Sequence, residues 1–267
     1  MSILICPVCG GEMHKEDNCL RCQNNHIFDF AKEGYVNLLT GSKSGDKRGD
    51  SKESARARRA FLEKDYYSFL KEEIAKMLTG TVLDICCGEG YYDKYDGELY
   101  GFDISKEMVR LAAKRNKGGK YFVANLSNIP VKSESVDTAI HLFAPFNSKE
   151  FSRILKTNGR LYSVVPAKEH LYEMKAIVYD NPYYNDEKVP ECKELEIVSK
   201  NIIKQKSEIC CEDIKTLFSM TPYYYRTSEE NKKRLDRISS LDLTFSFIIT
   251  EYKNCLLYTS PSPRDRG

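Results

Sequence analysis

"VLDICCGEGYY", residues 82–92, decides the fold. An apolar run ends on an acid, Asp84, and a turn, Cys87-Gly88-Glu89-Gly90, follows it directly. Glycine at such a turn lets a ligand approach the backbone closely, at the carboxyl end of a parallel strand, where open sheets bind their ligands. Nineteen residues after Asp84, the next apolar run, "LYGFD", ends on Asp103. An acid at that place suits a bidentate hydrogen bond to ribose hydroxyls.

Working outward, "TVLDIC", "ELYGFD", "KYFVAN", "VDTAIHLF" and "GRLYSVV" are short runs rich in Val, Ile, Leu, Tyr and Phe. Helical stretches such as "SKEMVRLAAKRN" and "SKEFSRILK" lie between them. This alternation predicts an α/β, Rossmann-like fold, a parallel sheet covered by helices on both faces. Upstream, "SKESARARRAFLEKDYYSFLKEEIAKML" reads as one helix capped by Ser51 or Ser54. Downstream, "VPAKEHLYEMKAIVY" reads as a helix, "YDNPYYNDEKVP" as a loop, and "FSFIITEYK" as a strand closing the sheet edge.

The glycine turn discriminates between cofactors. A dinucleotide site needs the G-x-G-x-x-G spacing, with a pyrophosphate on a helix N-terminus. Here the pattern is D-x-x-x-G-x-G, and Glu89 would repel a pyrophosphate. A cationic sulfonium donor with a single ribose suits an acidic loop, which favours S-adenosylmethionine (SAM) over a nicotinamide dinucleotide.

Near the start, "CPVCGGEMHKEDNCLRCQNNH" places four cysteines and two histidines in twenty-one residues. Cys6-x2-Cys9 is one half of a metal knuckle. The second half offers either Cys22 with His26 or the pair Cys19-x2-Cys22, and either choice closes a tetrahedral zinc shell. Such a closed site is structural, and a segment this short needs the metal to fold. His14, between the knuckles, reads as solvent-facing. The other six cysteines show no repeated spacing and read as ordinary semi-apolar residues.

Composition excludes several classes. A net charge of +2 puts any affinity for acidic partners into local patches. One such patch is the stretch from Lys43 to Lys64, with eight basic residues against four acidic ones, where Arg56, Arg58 and Arg59 could face phosphates. "TGSKSGDKRGD", residues 40–50, reads as a mobile loop. No apolar run approaches a bilayer span and the start lacks a signal-peptide pattern, so the expected partners include no membrane and the expected location is cytoplasmic. The closing "CLLYTSPSPRDRG" fits nothing before it and reads as a non-native tail.

Taken in order, the knuckles, "FDFAKEGYVNLL", "ARRAFL", "LDICCGEGYY", "FDISK" and "HLYEMKAIVY" resemble the 23S rRNA (guanine-N1-)-methyltransferase family of the RlmA type, over residues 5–254. The resemblance implies a class I methyltransferase with a mostly parallel seven-stranded sheet and a small N-terminal zinc ribbon. It implies SAM as cofactor, a structural zinc, and methylation of guanine N1 in a hairpin loop of 23S rRNA. It assigns the zinc to Cys6, Cys9, Cys22 and His26, and cofactor contacts to Tyr67, Gly88, Glu89 and His170, with Asp103 as the ribose acid. The boundaries expected are a ribbon over 1–38, a basic loop and linker helix over 39–66, a catalytic domain over 67–254 and the odd tail over 255–267. Cys86 stands where the family motif has glycine, and the stretch from Gly90 to Leu99 is short, which implies an abbreviated helix after the loop.

Tyr91, Tyr92, Phe143 and Phe146 are candidates to line a base pocket, and Ala144, Pro145 and Asn147 to touch the base edge. His141 is a weak candidate for a general base, and no residue is assigned that role. Two other functions stay open at this point: a small-molecule SAM methyltransferase, or an RNA-binding protein with an inactive methyltransferase body. Whether the active form is a homodimer also stays open.

Overall fold

The structure, a computed structural model, describes residues 2–41 and 52–254. The loop at 42–50, the proposed cap Ser51 and the tail at 255–267 lie outside the described residues.

The N-terminal segment folds as an antiparallel ribbon, β1 (Met13–Glu16), β2 (Cys19–Cys22) and β3 (Ile27–Asp29). Asp17 takes a left-handed φ of 43° in the two-residue turn between β1 and β2, which such a tight hairpin requires. The chain then leaves the ribbon, and β4 (Val36–Asn37) pairs in parallel with the outermost parallel strand of the main sheet. Leu4 bridges Val131, and Ile5 N–H donates to the Pro130 carbonyl at 3.0 Å, so backbone bonds as well as side chains tie the ribbon to the body.

The expected long helix is two, α1 (Lys52–Leu62) and α2 (Ser68–Ala75). Asp65 at φ 57° breaks them apart. The break turns Tyr67 into the core and lets Tyr66 donate its hydroxyl to Asp213 at 2.7 Å. Helical periodicity runs through this stretch without interruption, and only the tertiary contacts of the two tyrosines stop it.

The body follows as β5 (Val82–Ile85), β6 (Leu99–Asp103), α3 (Lys106–Arg115), β7 (Lys120–Val123), β8 (Val136–Leu142), α4 (Ser148–Ile154), β9 (Leu155–Pro166), α5 (Tyr172–Val178), β10 (Leu195–Cys210), α6 (Cys211–Ser219) and β11 (Ser240–Asn254). They make one sheet in the order β10-β11-β9-β8-β5-β6-β7-β4. The seven expected strands are β5 to β11, and β4 adds an eighth from the N-terminal segment. β5 to β9 run parallel, while β11 is antiparallel to both its neighbours.

Strand alternation divides the core. Val82, Leu99 and Ile140 pack with Leu70, Ile74, Met174 and Leu217 of α2, α5 and α6 on one face. Leu83, Ile85, Tyr100 and Phe102 point to the other, where α4 and the ribbon residues Ile3, Leu4 and Met13 cover them. The zinc segment thus occupies sheet surface that helices usually cover.

Three expectations fail in detail. The crossover from β5 to β6 contains turns and no helix. Tyrosines occupy that space: Tyr91 donates to Asp65 at 3.0 Å and Tyr95 to the Gly80 carbonyl at 2.9 Å. The helix read over 165–179 is confined to Tyr172–Val178, because Leu171 enters it with a left-handed φ of 58°. "FSFIITEYK" lies inside β11, which is interior, and the edge belongs to β10.

Candidate cofactor site and metal centre

The cofactor loop begins where β5, buried along its whole length, runs out at Ile85. Cys86, Gly88 and Gly90 take φ values of 59°, 54° and 67°, so three of five residues are left-handed. Cys87 N–H donates to the Phe102 carbonyl at 2.8 Å, and Gly88 N–H donates to Asp103 Oδ2 at 3.1 Å, lacing the loop to β6. A Cβ on Gly88 would meet nothing within 4 Å, so the loop presents open backbone at that point. Asp103 Oδ1 accepts from the Ser105 N–H at 2.8 Å. A carboxylate oxygen has two lone pairs, so one such bond does not exhaust it.

Beneath the loop lies an acid pair. Asp84 and Asp93 are buried, and Tyr121 donates its hydroxyl to Asp93 Oδ2 at 2.6 Å. Burial, then the adjoining Asp93 carboxylate, pushes the Asp84 acid well above its ordinary range, and burial raises Asp93 as well. Two negative charges are thus disfavoured at this spot. Among the described residues Asp84 Oδ2 and Asp93 Oδ1 have no hydrogen-bond partner, which suits a loop built to face positive rather than phosphate charge. Asp93 escaped sequence reading, since an acid among tyrosines in a turn carries no motif. A Cβ on Gly90 would come within 2.8 Å of Asp93 Oδ2, so glycine there is what lets the acid in.

Glu89 behaves differently from its sequence-based reading. It is buried, and its Oε1 accepts from Arg115 Nη2 at 2.7 Å, with Arg59 Nε 3.9 Å from Oε2. Its charge is met by α3 and α1, so the acidity of the ligand face rests on Asp103 and the pair below.

Tyr67 and His170 meet in an aromatic box with Phe245 and Phe247, with ring centroids 4.6–6.3 Å apart. His170 Nδ1 accepts from the Ser246 N–H at 3.3 Å, and burial pushes its pKa down to about 3, so the ring is neutral. The box and the glycine loop are separate groups joined by an aromatic chain. Tyr92 stands edge-on to Tyr91 at 5.0 Å and 6.5 Å from Phe143, which lies 5.4 Å from Phe247. Phe143, at φ 57° and 45% exposed, is the one ring of that chain turned outward.

Of the other residues singled out here, Pro145 is exposed and Ala144 half-buried, while His141, Phe146 and Asn147 are tied back to the body. His141 is buried, with Nδ1 3.1 Å from Ser163 Oγ and Nε2 3.0 Å from the Pro145 carbonyl. Burial lowers its pKa to about 4. Both nitrogens are engaged, which makes it a brace for the 143–147 loop. Phe146 packs on His141, Phe151 and Tyr252. Asn147 caps α4 and donates to the Leu126 carbonyl at 3.0 Å.

In the ribbon, one ligand atom from each of Cys6, Cys9, Cys22 and His26 lies within 4.8 Å of the others. His26 Nδ1 is 3.5 Å from Cys6 Sγ and 3.4 Å from Cys22 Sγ, and Cys9 Sγ is 3.7 Å from Cys22 Sγ. Zinc–sulfur bonds of about 2.3 Å in a tetrahedron set sulfur–sulfur edges of roughly 3.8 Å and sulfur–nitrogen edges of roughly 3.6 Å. Three thiols and an imidazole at those separations fit a structural zinc and no disulfide. Cys19 lies three residues from Cys22 on β2 and so projects from the opposite face of that strand. His14 is exposed and 3.0 Å from Glu16.

The comparisons agree with this geometry. Residues 4–43 match the family model described as "RlmA, N-terminal", and residues 83–163 match the one described as "Methyltransferase domain". The chain is 33% identical over 186 residues to the "23S rRNA (guanine(748)-N(1))-methyltransferase" of Streptomyces fradiae, covering 64% of this chain and 66%, just under two thirds, of that protein. It is 28% identical over 268 residues to "Putative 23S rRNA (guanine-N(1)-)-methyltransferase YxjB" of Bacillus subtilis, covering 91% of this chain and 94% of that protein. With "Putative 23S rRNA (guanine-N(1)-)-methyltransferase" of Micromonospora griseorubida it shares 31% identity over 202 residues, 64% of this chain and 68% of that protein. A methyltransferase domain of this kind uses SAM, and the thiol cluster is the zinc centre of the ribbon. The chain belongs to the RlmA-type 23S rRNA (guanine-N1-)-methyltransferase family.

Proposed function

We propose that this chain transfers the methyl group of SAM to N1 of a guanine in a hairpin loop of 23S rRNA. The observation that carries the reading is the joining, on one sheet, of an acidic glycine loop and a Cys3His ribbon held by the Leu4–Val131 bridge. A methyltransferase of small metabolites has no need of the second element. The names of the relatives add the base and the position.

In this reading Gly88 and Asp103 hold the ribose, Tyr67, Glu89 and His170 complete the cofactor contacts, and Cys6, Cys9, Cys22 and His26 ligate zinc. Residues 1–38 recognise RNA, 39–66 form a basic linker and 67–254 the catalytic domain. The bound cofactor supplies an electrophilic methyl on a sulfonium. Guanine N1 carries a proton at neutral pH, which must pass to water or another base before or during its attack on the methyl that SAM would supply. The pairing edge must be free, so the base is unpaired or flipped. Phe143 offers an exposed face for it to stack on, and Ala144 and Pro145 lie beside that face. Orientation of N1 toward the methyl supplies most of the acceleration. His141 is excluded as the base by its two engaged nitrogens, and no other residue takes that role here.

No helix among the described residues is long and apolar enough to cross a membrane. An rRNA substrate supports a cytoplasmic location. The reading admits a homodimer, decided by sedimentation at two protein concentrations. Primer extension on an unmethylated 23S rRNA fragment, with and without SAM, tests the activity. A single SAM-dependent stop one nucleotide before a loop guanine is expected. No stop, with SAM still bound, would overturn the substrate and return small-molecule methyl transfer to the front.

A further inference from the structure

Where a helix ordinarily connects parallel strands, the β5–β6 crossover carries only turns, and a cleft of about 440 Å³ opens beside it. Arg59 from the last turn of α1 lines one side, and Arg110, Lys114 and Arg115 from α3 line the other. Arg110 and Lys114 are four residues apart and share a helix face. Two carboxylates, Glu63 and Glu89, also line the cleft, which leaves the lining with two more cations than anions.

The pairing of these cations is uneven. Arg115 is held by the buried Glu89 at 2.7 Å. Arg59 meets Glu63 at 2.8 Å on an exposed helix surface. Arg110 is forked on Glu107, at 2.6 Å and 3.1 Å, with Glu33 at 3.6 Å, while Lys114, half exposed, meets Glu33 at 3.8 Å and no other acid among the described residues. Exposed ion pairs contribute little and exchange readily, whereas an arginine fork gains two charge-assisted bonds from a phosphate. Lys114 can therefore turn to an incoming phosphate, and Arg110 can exchange the exposed Glu107 for one, while Arg115 stays fixed on the buried Glu89.

Glu89 belongs both to this cleft and to the cofactor loop. Arg115 lies over the Tyr91 ring at 5.8 Å, and Tyr91, Tyr92 and Phe143 follow one another, so an aromatic path links the cleft to the face proposed for the base. We infer that the α1–α3 cleft seats a phosphodiester of the substrate RNA beside the target nucleotide, with Arg110 and Lys114 as its contacts. The inference rests on the rRNA reading above and adds to it a second contact region, away from the ribbon.

The test uses the full chain with Arg110→Ala/Lys114→Ala, and separately Lys114→Glu, a charge reversal at a half-exposed site. RNA affinity is measured by fluorescence anisotropy with a 23S rRNA hairpin across a salt series, and SAM affinity by calorimetry. Each lost phosphate contact should make the slope of log K against log salt shallower by about 0.7, and weaken binding about fivefold at 0.1 M salt. SAM affinity should not change. If the wild type methylates the hairpin but both variants keep its slope and affinity, the cleft assignment fails alone. If the wild type shows no salt-dependent RNA binding, both the cleft and the rRNA reading fail.

Discussion

Gly88 donates its backbone N–H to Oδ2 of Asp103 at 3.1 Å, so the acid placed to hold a ribose also fixes the loop that the ribose must approach. Its other oxygen is fixed by the Ser105 N–H. Asp103→Asn keeps the shape but puts an amide donor where one acceptor stood, facing either an N–H or a ribose hydroxyl. A hydrogen bond to a charged group is worth about 1.5–3 kcal/mol, so SAM should bind roughly ten- to a hundredfold more weakly. Calorimetric titration checks this. An unchanged Kd would remove Asp103 from the site.

Cys86 is the one residue of the loop that pays for its conformation. At φ 59° it sits in the left-handed region where an L side chain costs about 1–2 kcal/mol, and glycine none. Cys86→Gly should therefore stabilise the fold by about 1 kcal/mol, after allowing for the larger entropy glycine loses on folding. Urea denaturation at neutral pH measures it. A loss of stability would mean that the packing of the thiol outweighs the backbone strain.

Zinc removal should reach beyond the ribbon. Ile3, Leu4 and Met13 are buried in the same cluster as Phe122, Val131 and Phe102 of the body. The metal supplies most of the folding free energy of a segment this small. Chelation, or Cys22→Ser, should expose that face of the sheet and lower the Tm of the whole protein. The glycine loop lies at the strand ends, so SAM binding at low temperature should persist. Metal content, thermal melting and calorimetry on one sample test the three parts together. A zinc-free protein with an unchanged Tm would show that the ribbon contributes nothing to the body.

Legibility in the sequence followed the size of the local signal. β5, β6 and β8 are buried apolar runs, the first two with an acid at or beside the end, and their order around the glycine loop could be read directly. The metal cluster could be read as far as two alternatives. Spacing alone did not choose between His26 and Cys19; the family resemblance pointed to His26, and the strand face on which Cys22 lies gives the physical reason. β10 was invisible because its pattern, "LEIVSKNIIKQKSEIC", alternates polar residues through an edge strand that is half in solvent. The pairing of Glu89 with Arg115 and of Asp84 with Asp93 joins segments whose contact depends on the missing crossover helix. Nothing local announces either.

His141 sets a pH dependence of known sign. In the folded protein its pKa lies at about 4, against 6.5 for the free side chain, because burial disfavours the imidazolium. Between those values the unfolded chain holds more protons at this site than the folded one. The contribution of His141 is thus complete above pH 6.5 and is lost as pH falls toward 4, by up to about 3 kcal/mol. Asp84 and Asp93 act the other way, since acids raised by burial favour the folded state as pH falls. The wild-type curve therefore mixes both signs. His141→Gln can still donate to the Pro145 carbonyl and pair with Ser163, but it does not titrate. Stability measured by urea at a series of pH values should show the variant gaining on the wild type by about 3 kcal/mol between pH 7 and pH 4. His170, lowered for the same reason, is present in both proteins and cancels. A flat difference curve would mean that His141 keeps an ordinary pKa and that burial does not hold its ring neutral.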